Sequence, residues 1–179
     1  MVKKNKINKK KIPRKAVFLD RDGTINYDNG YTHKFSDFKF RPYVIKGLLF
    51  LVKKNYLIFI VTNQAGIAKG IFKMSDLTKL HKKLLRFLKS KKIIINEIQF
   101  CPYHPNGIVK KYKKKTNYRK PGNLMIKRIL NNWDVNLEKS FMLGDSKKDK
   151  LAANKSNLYF EYVKNNFFKQ VVKINKKLQ

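Results

Sequence analysis

Carboxylates are scarce in this chain: 11 Asp and Glu among 179 residues, against 43 Lys and Arg, for a formal charge of +32. Cysteine is nearly absent. The single Cys101 excludes an intrachain disulfide framework and suits a reducing compartment. No apolar run approaches the roughly 20 residues of a membrane span. The longest, Gly47 to Val52 and Tyr56 to Val61, are soon closed by Lys or polar residues. The Lys-rich N-terminus lacks the apolar core of a signal peptide, so the expected location is cytoplasmic, with no membrane contact. Internal repeats and domain linkers are also missing. A hydrophobic content of 42% excludes global disorder, and the length suits one domain with a real core.

The positive charge has three readings. It is compositional, in a chain rich in Lys, Asn and Ile; or it attracts phosphorylated substrates; or it binds nucleic acid. The lysines are dispersed along the chain rather than gathered on one helix face, which weakens the third reading.

Four of the few carboxylates sit in two short motifs. Asp20-Arg21-Asp22-Gly23-Thr24 follows the apolar run Lys15 to Leu19, and Gly144-Asp145-Ser146-Lys147-Lys148-Asp149 follows Phe141 to Leu143. Both runs are continuous rather than alternating, the pattern of central strands buried on both faces. Further strands are expected at 56–61, 93–100 and 158–163. Helices are expected from Pro42 to Val52, from a Ser75 cap with Asp76 in its first turn, and over 124–133, 147–154 and 167–178. Residues 1–14 read as a solvated basic arm and 15–179 as a single domain, with a long Lys-rich loop at 101–120. Strands alternating with helices give an α/β fold, a Rossmann-like three-layer sandwich with a mostly parallel central sheet and no large cap.

Strand-end carboxylates with Gly alongside describe a divalent-metal site at the carboxyl edge of such a sheet. Gly23 lets the chain turn sharply so that Asp20 and Asp22 reach one cleft, and Asp145 completes a hard-oxygen set suited to Mg²⁺. Thr62 and Asn63, after the second strand, can donate to phosphate oxygens, and Lys120 can offset charge on a transferring group. Asp149 holds the metal shell from behind or starts a helix. Cys101 reads as a small buried residue, His81 as a surface or packing residue, and Trp133, Phe167 and Phe168 as core.

The ordered set resembles the haloacid dehalogenase-like phosphatase superfamily, and more narrowly its D-glycero-D-manno-heptose 1,7-bisphosphate 7-phosphatase branch, relatives of histidinol-phosphate phosphatases. The matching stretches are Phe18 to Asn26, Gly30-Tyr31, Val61 to Gly70, Cys101-Pro-Tyr-His-Pro105, Arg119-Lys-Pro121 and Met142 to Asp145. The resemblance implies Asp20 as nucleophile and Asp22 as general acid and base. It implies Mg²⁺ on Asp20, Asp145 and the Asp22 carbonyl, with Thr62, Asn63 and Lys120 around the phosphoryl group. It places Asp28, Asn29, Gly30, Tyr31, Gln64, Ala65 and Arg119 against the rest of a small phosphorylated sugar. His33 reads as a surface or packing residue, in a loop that could reach the substrate.

Two departures stand out. The family's insertion loop binds zinc through Cys-x-His and Cys-x-Cys, but here Tyr103, Thr116 and Tyr118 replace three of those ligands. One remaining ligand cannot make a tetrahedral site, so zinc is expected to be absent. The loop is expected to be held instead by Tyr103, Tyr112 and Tyr118 and by its X-Pro steps. Ser146 stands where many members carry Lys. The implied protein is a monomeric phosphatase, with a histidinol-phosphate phosphatase, a polynucleotide 3′-phosphatase or a nucleic-acid binder as the alternatives.

Overall fold

Continuous apolar runs become buried strands. In the computed structural model, which describes residues 12–179, these are β1 (Ala16–Leu19), β2 (Leu57–Asn63), β3 (Glu97–Cys101), β4 (Phe141–Gly144) and β5 (Tyr159–Tyr162). All pairings are parallel, in the order β3-β2-β1-β4-β5. Residues 1–11 of the predicted basic arm lie outside the described residues. Arg14, its last residue, is tied into the fold: its N–H donates to Asp134 O at 2.9 Å and its carbonyl accepts from Asn136 N–H at 2.9 Å.

Successive strand residues point to opposite faces, and the core divides accordingly. Val17, Leu19, Ile58, Ile60, Phe141 and Leu143 pack with helices α1 (Val44–Lys53), α2 (Met74–Ser90) and α5 (Phe167–Lys177). Ala16, Phe18, Leu57, Phe59, Val61 and Met142 pack with α3 (Leu124–Asn132) and α4 (Lys147–Asn154). The result is the expected three-layer sandwich, and among the described residues no large cap covers it. Among the described residues no helix is long and apolar enough to cross a membrane.

Among the boundaries that differ from the sequence reading, two follow from single hydrogen bonds. Helix α2 is capped at Lys73, not Ser75: Asp76 sits at the third helical position, and its carboxylate reaches back to accept from the Lys73 N–H at 2.9 Å. Strand β3 starts at Glu97 rather than 93, because Ile93 closes the turn after α2 through its N–H to Leu88 O at 2.9 Å.

The loop after β3 is organised by its own contacts. The Tyr103 and Tyr112 rings lie 6.2 Å apart. His104 exchanges backbone hydrogen bonds, its N–H donating to Tyr112 O and its carbonyl accepting from Lys114 N–H, each at 3.2 Å. Tyr118 hydrogen-bonds Gln99, and the Arg128 guanidinium lies 4.8 Å over its ring. These are the three tyrosines expected from the sequence to hold the loop.

Candidate active site

In this strand order the chain leaves β1 toward β2 on one side and later returns to β4 on the other. The carboxyl end of β1 is therefore the point where the strand order reverses, the place where such sheets leave a crevice. Three neighbouring strands deliver polar residues there: Asp20 after β1, Thr62 and Asn63 at the end of β2, and Asp145 after β4. Gly23, at φ +78°, carries the chain across this edge, and a Cβ on it would lie 1.9 Å from Asp145 Oδ2. Only glycine permits that approach.

Asp22 is held far more tightly than its sequence suggests. Arg21, fully buried, grips its carboxylate bidentately, with Nε 3.1 Å from Oδ1 and Nη2 2.8 Å from Oδ2. Asn26 Nδ2 donates to Oδ1 at 3.0 Å, and Gln64 Nε2 to Oδ2 at 2.8 Å. Arg21 is itself fixed by the Thr32 carbonyl at 2.7 Å and by His81 Nε2 at 3.1 Å. Burial, then the Arg21 charge, pushes the His81 imidazole down to about 3, so it is neutral and accepts from the guanidinium. His81, a surface or packing residue on sequence grounds, is thus buried and part of the Asp22 support. An Arg between two strand-end carboxylates, in a chain short of acids, was the available signal for this clamp.

Lys120 is the electrostatic centre of the cleft. Its ammonium, 2% exposed, lies 2.9 Å from Asp20 Oδ1 and 2.6 Å from Asp149 Oδ1, and donates to Val61 O at 2.7 Å. Burial alone would lower its proton affinity, but the Asp20 and Asp149 charges outweigh it and the net shift is upward. The Lys120 main chain is fixed by the Asn63 carboxamide, which accepts from Lys120 N–H at 3.0 Å and donates to Lys120 O at 3.1 Å. Both polar ends of the Asn63 side chain are therefore engaged with protein, which positions Lys120 and leaves the second Nδ2–H of Asn63, a residue of the cleft lining, as a donor. Thr62 Oγ accepts from Gln64 at 2.9 Å, which leaves its O–H to donate into the cleft.

Asp20, Asp145 and Asp149 bring carboxylate oxygens within 4.8 Å of one another, a spacing that fits a divalent cation. Asp149 plays both roles that its sequence position allowed: buried at the start of α4, its Oδ2 accepts from the N–H and O–H of Ser146 at 3.0 and 2.6 Å. A Cβ on Gly144 would sit 2.3 Å from the Asp149 Cβ, so that residue too must be small. The Asp22 carboxylate is turned onto Arg21, and its carbonyl accepts none of the loop's backbone hydrogen bonds. Burial raises the Asp20 carboxyl to about 7, opposed by Lys120 and reinforced by Asp149. Asp145 is raised in the same way, by burial and then by the Asp149 charge. Cations brought to this cluster relieve that cost, which is the electrostatic signature of a metal site.

The cleft over these groups has a volume of about 530 Å³. Asp28, Gly30, Tyr31, Gln64, Ala65 and Arg119 line it as expected, whereas Asn29 does not. His33 is stacked on Phe72 at 5.0 Å, outside the lining. Lys69, His104 and Lys148 line the cleft and were not foreseen; the Lys69 ammonium is 2.7 Å from the Tyr31 hydroxyl.

Comparison with known proteins agrees with this geometry. Residues 15–175 match the family model described as polynucleotide kinase 3 phosphatase. The D-glycero-beta-D-manno-heptose-1,7-bisphosphate 7-phosphatase of Photorhabdus laumondii is 40% identical over 138 residues, 77% of this chain and 73% of that protein. The protein of the same name from Rhodopseudomonas palustris is 36% identical over 145 residues, covering 81% of each chain. The crystal structure of D,D-heptose 1.7-bisphosphate phosphatase from B. bronchiseptica, complexed with magnesium and phosphate, superposes with a TM-score of 0.75 at 26% identity, over 89% of this chain and 86% of that one. A Mesorhizobium loti structure shares the fold at a TM-score of 0.83 and 23% identity, over 93% of this chain and 88% of that one. By sequence as well as by fold, the chain is a phosphatase of the haloacid dehalogenase-like superfamily, in the D-glycero-D-manno-heptose 1,7-bisphosphate 7-phosphatase branch.

Proposed function

We propose that the protein hydrolyses D-glycero-D-manno-heptose 1,7-bisphosphate at C7, with Mg²⁺, on the way to a nucleotide-activated heptose. The carrying observation is Asp20, a carboxylate at the sheet's reversal point with Lys120 at 2.9 Å and a second carboxyl two residues on. The names of the relatives support the sugar. In the first step an Asp20 oxygen attacks phosphorus, the bond from phosphorus to the sugar oxygen breaks, and the Asp22 proton passes to the departing alkoxide. In the second, water attacks the aspartyl-phosphate, gives its proton to Asp22 and releases phosphate and the Asp20 carboxylate. For both transfers Asp22 turns from Arg21, Asn26 and Gln64, which hold its carboxylate here, toward the reacting oxygen, while Thr62, Asn63 and Lys120 hold the phosphoryl oxygens. Mg²⁺ held by Asp20, Asp145 and the Asp22 carbonyl, with Asp149 behind, would neutralise charge on those oxygens.

Asp20 must lose its proton before it can ligand a cation. With its carboxyl raised to about 7, Mg²⁺ affinity is expected to be flat above that pH and to fall about tenfold per unit below it. Calorimetric titration from pH 5.5 to 8.5 measures this, and an unchanging Kd would contradict it. Zinc has no part in the reading. The Cys101 thiol is buried and faces the Tyr103 carbonyl at 3.8 Å, with its proton affinity raised by burial. One equivalent of tightly bound zinc by elemental analysis would refute this.

The substrate is tested by comparing kcat/KM on both anomers of the heptose bisphosphate, histidinol phosphate, hexose bisphosphates and a 3′-phosphorylated oligonucleotide. The last is included because the matching family model carries a polynucleotide phosphatase description. A heptose bisphosphate is expected to lead by at least about tenfold, equivalent to about 1.4 kcal/mol of transition-state preference. A lead by histidinol phosphate or the oligonucleotide would overturn the sugar and leave the chemistry standing.

A further inference from the structure

Along the chain the lysines are dispersed, yet the folded helix α2 gathers five cations on one face. Lys79, Lys82, Lys83, Arg86 and Lys89 recur at helical spacing, opposite the buried Leu77, Leu84 and Leu88. All five are exposed, and none has an ion-pair partner among the described residues. Between Asp76 and Glu97 the chain has no carboxylate. The row is about 15 Å long, at 1.5 Å of helix per residue.

A cavity of about 440 Å³ lies against this row, between α2 and the loop that joins β1 to α1. Lys34, Lys79 and Lys83 line it, with Phe35 and Leu80 as its apolar part. The Phe35 ring is only partly buried and is backed by Phe38, stacked at 6.1 Å, and by Phe87 at 5.9 Å. Asp76, the one carboxylate in the lining, is engaged by the Lys73 N–H. No residue of this lining belongs to the catalytic cleft.

Cations aligned on one helix repel one another, and a polyanion whose charges also run in a line relieves that repulsion. A partly exposed ring beside them adds a second requirement, a flat group to cover it. A single nucleic-acid strand meets both, with phosphates along the helix and a base against Phe35, and such stacking tolerates any base. A duplex keeps its bases stacked inside and offers the row its charge alone.

We propose that the outer face of α2, with the cavity at Phe35, is a docking surface for single-stranded nucleic acid, separate from the phosphatase cleft.

The test is binding of a fluorescent oligouridine of about 20 nucleotides, long enough for one site, whose 3′-hydroxyl end offers the cleft no phosphate monoester. Each phosphate contact on a single strand adds about 0.7 to the slope of log K against log salt. Lys79→Gln/Lys83→Gln/Arg86→Gln should therefore flatten that slope by about 2 and weaken binding at least about tenfold at low salt. Lys169→Gln/Lys173→Gln/Lys176→Gln removes the same charge from exposed positions on α5, and should weaken binding less than about threefold. Phe35→Leu keeps an apolar side chain in the cluster. It should cost about fivefold or more on the oligouridine and nothing on duplex RNA. Equal losses in the two triple variants would show that net charge alone acts, and would overturn the proposal. So would absent binding of the oligouridine, or native affinity in Phe35→Leu. Loss of binding to phosphatidylglycerol vesicles, but not to oligouridine, in the α2 variant would overturn it too and assign the face to a membrane. If the α2 triple variant melts early, Lys83→Gln alone carries the comparison: a slope change of about 0.7 is expected, and an unchanged slope refutes the contact.

Discussion

Asp20→Asn is expected to lower phosphate release by about 10⁴-fold or more, the scale seen when a nucleophile is deleted from a working catalytic set. Asn occupies the same volume, so the packing around β1 is retained. What disappears is the anionic oxygen that attacks phosphorus. The amide can still accept from the Arg21 N–H, a bond of 2.7 Å in the native protein, so the turn after β1 keeps its geometry. Lys120 loses one of two carboxylate partners but keeps Asp149 at 2.6 Å and the Val61 carbonyl at 2.7 Å. The melting temperature is therefore expected to stay within a few degrees, with Mg²⁺ binding weakened through loss of a ligand. Rapid-quench assays on labelled substrate check the covalent step: the native protein should carry label through acid denaturation and the variant should not. Turnover retained in a well-folded Asn protein would sink the aspartyl-phosphate mechanism, leaving Asp145 and Asp149 to position a water for direct attack.

How much of this was legible in the sequence depends on the range of the interaction. Runs such as Phe141 to Leu143 identified central strands because burial on both faces demands uninterrupted apolar residues, and the strand tips located the site. Caps and strand starts were less legible, because they depend on single hydrogen bonds such as that from the Lys73 N–H to Asp76. Arg21 and His81 were invisible as a pair, being separated by 60 residues and joined only by the way α2 packs. Asn63 was placed in the site, but the sequence could not show that both ends of its amide also clasp the Lys120 main chain.

Lys120→Met should be the most damaging substitution to stability and to turnover together. Met roughly matches the length of the aliphatic stem, so no large cavity opens, and the effect is electrostatic. The native ammonium is the only cation in ion-pair contact with the Asp20 and Asp149 carboxylates among the described residues. Removing one partner of a buried ion pair typically costs about 3–5 kcal/mol, because the remaining charge is left uncompensated. Here the loss can be relieved by protonation. Lys120 holds the Asp20 carboxyl down against burial, so without it the carboxyl rises further above about 7. In the variant the folded state binds a proton that the unfolded state, with an ordinary carboxylate, releases. Its stability must therefore fall as pH rises through neutrality. Urea melts in chelator should show a deficit that is small near pH 5.5 and approaches the full penalty near pH 8.5. Mg²⁺ should restore part of it at the higher pH, since a cation among Asp20, Asp145 and Asp149 replaces the missing charge and stabilises by mass action. Activity should not return with it. The cation that meets the transferring phosphoryl group is gone, and losing one such contact costs on the order of 10²–10³ in kcat. A deficit independent of pH would show that Lys120 acts by packing, and near-native turnover in Mg²⁺ would remove it from the phosphoryl site.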